Sequence, residues 1–233
     1  MEAIYHELAD VYARLSSDNA VNAHYDRPEI LRLAGDLRGR SVLELGCAAG
    51  ALTERLVDAG ASVLAIDREP RMIDHAVRRL GSRAAFTVAD LEEPWSDVPT
   101  DGVDVVVASL VLHYVADWGP VLAEVARCLR PGGHLVFSVH HPITGWNLSA
   151  GSDYHAVELI CEDWSWEGRP VTAQMYRRSF SAIFGDLARA GFAVDAVTEP
   201  VPQTLPDQVD DGVRRALLTS PVFLFVRATL RDA

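Results

Sequence analysis

The sequence predicts one α/β domain whose strands form a parallel sheet covered by helices. Short apolar segments alternate with helical segments from about residue 40 to residue 140. These apolar segments are continuous and not alternating, which is typical of strands buried on both faces of a parallel sheet. A length of 233 residues, 49% of them apolar, suits a single domain.

The elements up to residue 140 follow from periodicity and from the residues that bound each segment. Apolar residues recur at helical spacing in 2–15, and Pro28 is compatible with the first turn of a second helix over 28–37. Glycine, proline or aspartate bounds most of the later segments. The sequence predicts strands at 41–45, 61–66, 84–89, 103–110 and 134–139, and helices at 50–59, 70–80 and 121–129.

The periodicity fails from residue 141 to about 175, a stretch that holds three of the five tryptophans. After it the sequence predicts a helix at 176–190, a strand at 192–197, a short helix at 211–218 and a last strand at 221–230. The single domain is therefore divided into a helical N-terminal part (1–39), a core (40–140), an irregular insertion (141–175) and a C-terminal part of the sheet (176–233).

The composition excludes several kinds of protein. All 21 basic residues are arginine, so chemistry that needs a lysine, such as a Schiff base, a P-loop or a kinase site, is excluded. The net charge of −12 disfavours nucleic acid and anionic membrane surfaces as partners. Cys47, Cys128 and Cys161 are too widely spaced to suggest disulfides or a metal site. Without an apolar leader or spanning segment, we expect a reduced, cytoplasmic protein.

The sharpest local signal is a strand that runs into a glycine turn and then a helix, at residues 42–50. Gly46 permits a tight turn, and Gly50 lets the helix start close to the strand. Asp67 ends the next strand, where a carboxylate can accept hydrogen bonds from ribose hydroxyls. An NAD fingerprint needs glycine at positions 48 and 51, and both residues are alanine.

Five segments in order resemble the class I S-adenosylmethionine-dependent methyltransferases. They are VLELGCAAG (42–50), AIDREPRMI (65–73), VADLEEPW (88–95), VVVASLVLHYVADW (105–118) and LRPGGHLVFSVHHP (129–142). The resemblance implies a Rossmann-like, doubly wound, mostly parallel sheet of seven strands. It also implies an N-terminal helical lid, a cofactor-binding core and an acceptor cap inserted after the fifth strand.

The resemblance implies S-adenosylmethionine as the cofactor and a set of residues that hold it. Asp67 would bind the ribose hydroxyls, Glu44 the methionine amino group and Asp90 the adenine amino group, while a tyrosine of the lid would contact the methionine carboxylate. Ala48 departs from the family, which usually has glycine there. The expected cofactor residues are Tyr12, Tyr25, Glu44, Gly46, Cys47, Ala48, Gly50, Asp67, Arg68, Met72, Asp90, Leu91, Ser109 and Leu110.

Three histidines at strand ends are candidate general bases, because histidine titrates near neutrality. They are His113, His140 and His141, each with pocket shaping or strand-end packing as the alternative. No metal is expected at the adjacent pair, since neighbouring residues on a strand point to opposite faces. The aromatic residues expected to line the acceptor, or else to pack the cap or form a homodimer contact, are Trp146, Tyr154, Trp164, Trp166 and Tyr176.

The resemblance and the aromatic cap imply an enzyme that methylates a small aromatic or hydrophobic acceptor at an undetermined oxygen, nitrogen or carbon atom. The arginine-rich composition is associated with high-GC bacteria, where such enzymes often serve secondary metabolism. One alternative is an enzyme of the same fold that binds the cofactor but catalyses a cyclisation or rearrangement. Another is a non-catalytic binding protein on that fold.

Overall fold

The computed structural model describes residues 2–151 and 153–231, and the predicted seven-stranded sheet is confirmed. The strands, in chain order, are β1 (Ser41–Leu45), β2 (Ser62–Asp67), β3 (Ala85–Val88), β4 (Val103–Ser109), β5 (Leu129–His140), β6 (Glu158–Trp166), β7 (Arg169–Arg177), β8 (Phe192–Thr198) and β9 (Phe223–Leu230). The main sheet has the order β3-β2-β1-β4-β5-β9-β8, in which β9 is antiparallel to both neighbours and β1 to β5 are parallel.

Helices cover both faces of this sheet and precede it in the chain. They are α1 (Glu2–Glu7), α2 (Ala9–Asp18), α3 (Arg27–Ala34), α4 (Ala51–Asp58), α5 (Pro70–Leu80), α6 (Trp118–Cys128), α7 (Pro142–Leu148), α8 (Phe180–Arg189) and α9 (Asp211–Thr219). A π-helix, Asn22–Asp26, joins α2 to α3. The single first helix predicted over 2–15 is in fact two helices, because the helical backbone is interrupted at Leu8, between α1 and α2.

Successive residues of the central strands pack into two separate cores, one on each face of the sheet. On β4, Val106 and Ala108 join a cluster with α6, whereas Val105 and Val107 join a cluster with α3 and α4. This alternation explains the unbroken apolar runs, because every position of a doubly covered strand is buried. The arrangement leaves the carboxyl ends of the parallel strands as the open edge.

The insertion after β5 contains a β-hairpin that the sequence analysis missed. β6 and β7 pair antiparallel from Glu158–Arg177 to Trp166–Arg169, around a two-residue turn in which Glu167 (φ 51°) and Gly168 (φ 78°) are both left-handed. The inward positions of the hairpin include carboxylates and an arginine, which hide the alternation of apolar residues.

The helix predicted at 176–190 is also wrong at its start. Tyr176 and Arg177 complete β7, and α8 begins at Phe180, where the Ser179 side chain accepts a hydrogen bond from the Ala182 N–H and caps the helix. Within residues 2–151 and 153–231, no helix combines the length and apolarity needed to cross a bilayer.

Candidate active site

A cavity of about 520 Å³ lies over the carboxyl ends of β1, β2 and β4, beneath α1 and α2. Its position is the one where open α/β sheets bind ligands, and its size suits a small organic molecule. Twelve of the fourteen expected cofactor residues line it, namely Tyr12, Glu44, Gly46, Cys47, Ala48, Asp67, Arg68, Met72, Asp90, Leu91, Ser109 and Leu110. The other two, Tyr25 and Gly50, are not part of its wall.

Two glycines shape the loop that forms the floor of the cavity. Gly46 has φ 69°, and a Cβ there would lie 2.4 Å from Cγ2 of Val111. Gly50 has φ 77°, and a Cβ there would lie 3.0 Å from Cβ of Ala76. The first glycine therefore lets the loop pack closely against Val111, and the second lets α4 start close against α5.

Ala48, in the same loop, has a left-handed backbone with φ 45°. This conformation costs an L-residue roughly 1–2 kcal/mol relative to glycine. The loop holds it there because the Ala48 N–H donates to Oδ2 of Asp67 at 2.8 Å and the Gly50 N–H donates to the Cys47 carbonyl at 2.9 Å. These hydrogen bonds hold Ala48 in a conformation that costs an alanine more than a glycine.

Glu44 and Asp67 bring two carboxylates to the middle of the cavity. Burial raises the pKa of Glu44 to about 8, against the hydrogen bond that its Oε2 accepts from Thr53 Oγ1 at 2.6 Å. Burial also raises the pKa of Asp67, which accepts backbone N–H bonds from Ala48 and Glu69. Two desolvated carboxylates favour a ligand that carries positive charge or hydroxyl donors.

The side of the cavity beyond β3 combines an apolar surface with a polar rim. Met72 is buried in the wall, and Leu91 lies beside Asp90. Oδ2 of Asp90 lies 3.6 Å from the Arg68 guanidinium, and its Oδ1 accepts the Glu92 N–H at 3.0 Å. A flat, partly polar ring such as a purine suits this wall.

Two neighbouring residues of the N-terminal segment, neither of them among the expected cofactor residues, reach the site. Arg27 lines the cavity, and its guanidinium donates to the backbone carbonyls of Ser16 and Ser17. Asp26 is fully buried directly behind the wall, where Ser109 Oγ and Ser138 Oγ each donate to it at 2.5 Å. The signal was a charged Asp-Arg pair ahead of the first strand, in a segment that the structure folds against β4.

Aromatic side chains enclose the end of the cavity next to β4. The hydroxyls of Tyr5 and Tyr114 are 2.7 Å apart, and the Tyr5 ring lies 5.0 Å from that of Tyr12. Trp166 of the hairpin packs on both lid tyrosines, with ring centroids at 5.7 and 5.1 Å. Burial raises the pKa of Tyr114 to about 12, so this phenol is neutral near pH 7.

None of the three candidate histidines lines the cavity, and two of them pack behind Tyr114. The His113 ring contacts those of Tyr114 (4.3 Å) and His140 (4.7 Å), and its Nδ1 has no hydrogen-bond partner among the described residues. Burial lowers the pKa of His113 and that of His140, the latter to about 4, so both rings are neutral at pH 7.

His141 is held differently. Its Nδ1 accepts the Ile143 N–H at 3.2 Å, so Nε2 carries the proton and donates to Glu199 Oε1 at 2.5 Å. Both ring nitrogens thus serve the start of α7 and the segment after β8.

The aromatic residues expected to line the acceptor are divided between two places. Trp164 stacks on Trp166 at 6.2 Å, so both form a layer behind the lid tyrosines. Trp146 packs on Tyr154 at 5.8 Å, away from the cavity wall. Tyr176, on β7, lies 6.0 Å from the Arg178 guanidinium. None of the five lines the cavity.

Arg177, the last residue of β7, and the next residue, Arg178, are buried and bonded within the protein. Arg177 pairs with Glu158 at 2.6 Å and donates to three backbone carbonyls of residues 153–156. Arg178 donates to the carbonyls of Val115 and Ala116, so it supports the segment that forms the cavity wall beside Tyr114.

Tyr25 packs between β9 side chains instead of facing the cavity. Its ring stacks on Phe223 at 5.6 Å and meets Phe225 edge-on at 5.6 Å. Among the residues for which the structure gives positions, no group of three or more histidine, cysteine, aspartate or glutamate side chains is arranged to hold a metal ion.

Comparison with known proteins connects this geometry to a family. A family model described as a methyltransferase domain matches residues 43–137. An uncharacterised methyltransferase of Mycobacterium bovis is 36% identical over 145 residues, which cover 59% of this chain and 58% of that protein.

Solved structures share the fold over most of the chain. The S-adenosylmethionine-dependent methyltransferase from Mesorhizobium loti is 26% identical, with a TM-score of 0.67 over 87% of this chain and 96% of that one. The N-methyltransferase NodS from Bradyrhizobium japonicum, solved with S-adenosyl-L-homocysteine, is 20% identical and has the same fold, with a TM-score of 0.66 over 97% and 98% of the two chains. The chain thus carries a methyltransferase domain over its cofactor loop and folds as S-adenosylmethionine-dependent methyltransferases do.

Proposed function

We propose that this methyltransferase acts on a small molecule with an aromatic or otherwise apolar body, at an oxygen, nitrogen or carbon atom. The observation that carries the proposal is the tyrosine-lined end of the cavity, where Tyr5, Tyr12 and Tyr114 offer flat apolar faces together with neutral hydroxyls. Such a wall excludes water and orients an acceptor by one or two hydrogen bonds. The net charge of −12 argues against a nucleic acid as the acceptor.

The residues around the cavity fit S-adenosylmethionine. Asp67 would accept the ribose hydroxyls, Glu44 the ammonium group, and Asp90 the adenine amino group. Arg27 is the cation best placed for the carboxylate of the methionine part. The bare backbone at Gly46 lets the loop pack against the side chain of Val111, which also lines the cavity.

S-adenosylmethionine supplies an electrophilic methyl group on a positively charged sulfur, so this chain mainly binds, orients and shields. His113 and His140 are the proposed proton acceptors, because both are neutral at pH 7 and adjoin Tyr114 or its neighbours. His141, the third candidate, has both nitrogens engaged and is the least suited of the three. In the proposal, Trp164 and Trp166 support the acceptor wall from behind.

Calorimetry on the purified protein tests the cofactor assignment. The wild-type chain should bind S-adenosylmethionine, and Asp67→Ala should weaken binding by about 1–3 kcal/mol through lost ribose hydrogen bonds. Asp36→Ala is the matched control, since Asp36 is an exposed carboxylate that pairs with Arg38. An unchanged dissociation constant in Asp67→Ala removes this residue from the ribose site, and no binding by the wild type removes the proposal.

An acceptor screen separates methyl transfer from the alternative reaction. Phenols, aromatic amines and other apolar acceptors should release S-adenosyl-L-homocysteine in step with a product heavier by one methylene. If a compound is consumed while S-adenosylmethionine is not, the chain catalyses a cyclisation or rearrangement, which is the alternative proposal. Tyr114→Phe should raise KM for the acceptor more than it changes binding of the cofactor, since it removes one hydroxyl from the acceptor wall.

We also propose a setting, namely secondary metabolism in the bacterial cytoplasm. The support is the lysine-free, arginine-rich composition together with the bacterial origin of the similar proteins. Identification of the acceptor among the compounds made by enzymes of neighbouring genes would test this setting.

A further inference from the structure

The carboxylate of Asp26 forms a buried cluster with two serines at the carboxyl ends of β4 and β5. Ser138 Oγ donates to Oδ1 and Ser109 Oγ donates to Oδ2, each at 2.5 Å. Ser138 also accepts the Leu110 N–H at 3.1 Å. Asp26 is 0% exposed, and of the three cluster members only Ser109 lines the cavity.

This geometry fixes what Ser109 presents to a ligand. A serine hydroxyl has one proton, and here the proton points back to Asp26. Only lone pairs of the oxygen therefore face the cavity, with a carboxylate directly behind them. A wall of this kind attracts a cationic centre and offers nothing to an anion.

The charge of Asp26 is only partly offset by the neighbouring Arg27, whose guanidinium donates hydrogen bonds to the backbone carbonyls of Ser16 and Ser17. Burial raises the pKa of Asp26 to about 6, and the two serine bonds and the charge of Arg27 keep it from rising further, so the carboxylate is mainly ionised at pH 7.5.

The backbone around the cluster is also unusual. Asp26 ends the π-helix Asn22–Asp26, and Leu110, which follows Ser109, has φ 50°. Such irregularities concentrate at functional sites, because the surrounding structure must hold them in place.

The cluster adjoins the part of the cavity where the proposed function would place the sulfonium. In that proposal the ribose would lie at Asp67 and the amino-acid arm at Glu44 and Arg27. The sulfonium joins these two arms, so its positive charge would lie between them, in the cavity that Ser109 also lines. We infer, resting on that proposed function, that Asp26 acting through Ser109 recognises the positive charge of the sulfonium and so makes the site prefer S-adenosylmethionine over S-adenosyl-L-homocysteine.

The test is the ratio of two dissociation constants, measured by calorimetry at pH 7.5 on the wild type, Asp26→Asn, Ser109→Ala and Glu29→Gln. The cofactor and its demethylated product differ only in the methyl group and the charge. Asp26→Asn should therefore lose about tenfold or more in affinity for S-adenosylmethionine and little for the product, as expected for an ion pair in a partly buried site. Ser109→Ala should shift the ratio in the same direction, and it carries the test if Asp26→Asn does not fold.

Glu29→Gln is the matched control. Glu29 is also a buried carboxylate of the N-terminal segment, but it pairs with Arg32 and Thr198 away from the cavity. This variant should leave the ratio of the two dissociation constants unchanged. General destabilisation of the N-terminal segment would instead weaken the binding of both ligands equally in all three variants.

The outcomes separate the inference from the proposed function. Loss confined to S-adenosylmethionine supports it. Equal loss of both ligands overturns it, because the carboxylate then faces a group that the two share, such as the ammonium. An unchanged ratio with both ligands bound overturns the inference and leaves the proposed function standing. If the wild type binds neither ligand, both fall.

Discussion

Replacement of Ala48 by glycine should stabilise the protein, although most substitutions to glycine destabilise. The left-handed backbone of Ala48, φ 45°, costs roughly 1–2 kcal/mol, which glycine would not incur. Against this gain, glycine adds about 0.4–1 kcal/mol of unfolded-state entropy. Loss of a partly buried methyl group costs up to about 0.4 kcal/mol more. The net expectation is a gain of about 0.5 kcal/mol in the free energy of unfolding.

The neighbouring residue provides the control for this prediction. Ala49 is buried, without a positive φ, and packs with Met72. Ala49→Gly therefore loses a buried methyl group worth about 0.8 kcal/mol and gains the same unfolded-state entropy, a destabilisation of roughly 1.5 kcal/mol. The same chemical change at adjacent positions should have opposite signs.

Urea unfolding of the ligand-free protein, monitored by circular dichroism, measures the change in unfolding free energy of each variant, with the same dependence on urea concentration expected for all three proteins. The two variants should differ from each other by about 2 kcal/mol, with the wild type between them. If Ala48→Gly is destabilised as much as Ala49→Gly, the strain assigned to Ala48 does not exist. Calorimetry on Ala48→Gly would also show whether the relaxed loop binds the cofactor more tightly than the wild type.

Three further predictions follow from the site and the cap. Folding raises the pKa of Glu44 from 4.5 to about 8, so between these values the folded state keeps a proton that the unfolded chain releases. The free energy of unfolding should therefore fall as pH rises from 5 to 8, and Glu44→Gln should make this fall smaller in unfolding curves measured over that range. Gly46→Ala should lower the free energy of unfolding by about 2–3 kcal/mol, because its Cβ would clash with Val111. The loss should be smaller when Val111 is also changed to alanine, and an equal loss in that background would contradict the clash. Arg177→Met should lower the free energy of unfolding by about 3 kcal/mol, because it removes three hydrogen bonds to backbone carbonyls. Arg169→Met, at an exposed position, should change it by no more than about 0.5 kcal/mol. Equal melting temperatures of the two variants would disprove the stabilising role of Arg177.

The sheet and the cofactor loop were predictable because their signals are local. Unbroken apolar runs mark doubly covered strands, and a glycine turn after β1 marks the loop whichever ligand it serves. The β6–β7 hairpin was missed because Glu158, Glu162 and Arg177 occupy inward positions that a strand pattern reserves for apolar residues. The turn at Glu167-Gly168, which directly follows two tryptophans spaced two residues apart, was the available signal.

Contacts between distant parts of the chain explain the rest. Asp26 became visible as part of the site only when the fold brought it to Ser109 and Ser138, more than eighty residues away in the sequence. The expectation for Tyr25 rested on the resemblance of the N-terminal segment to the family's lid, whereas the phenylalanines of β9 that contact its ring come about two hundred residues later. Pairing of this kind leaves no periodic trace.

The position of β9 has a consequence for how the chain folds. This strand lies between β5 and β8, and His134 of β5 pairs with Thr229 of β9. The backbone hydrogen bonds of β5 and β8 on this side therefore cannot form until residues 223–230 are in place. Such non-local pairing makes folding slow, since the entropy cost of closing a long loop comes before the stabilising contacts form. Until then the inner strand β5 has a bare edge, and a chain cut before β9 would be prone to aggregate through it.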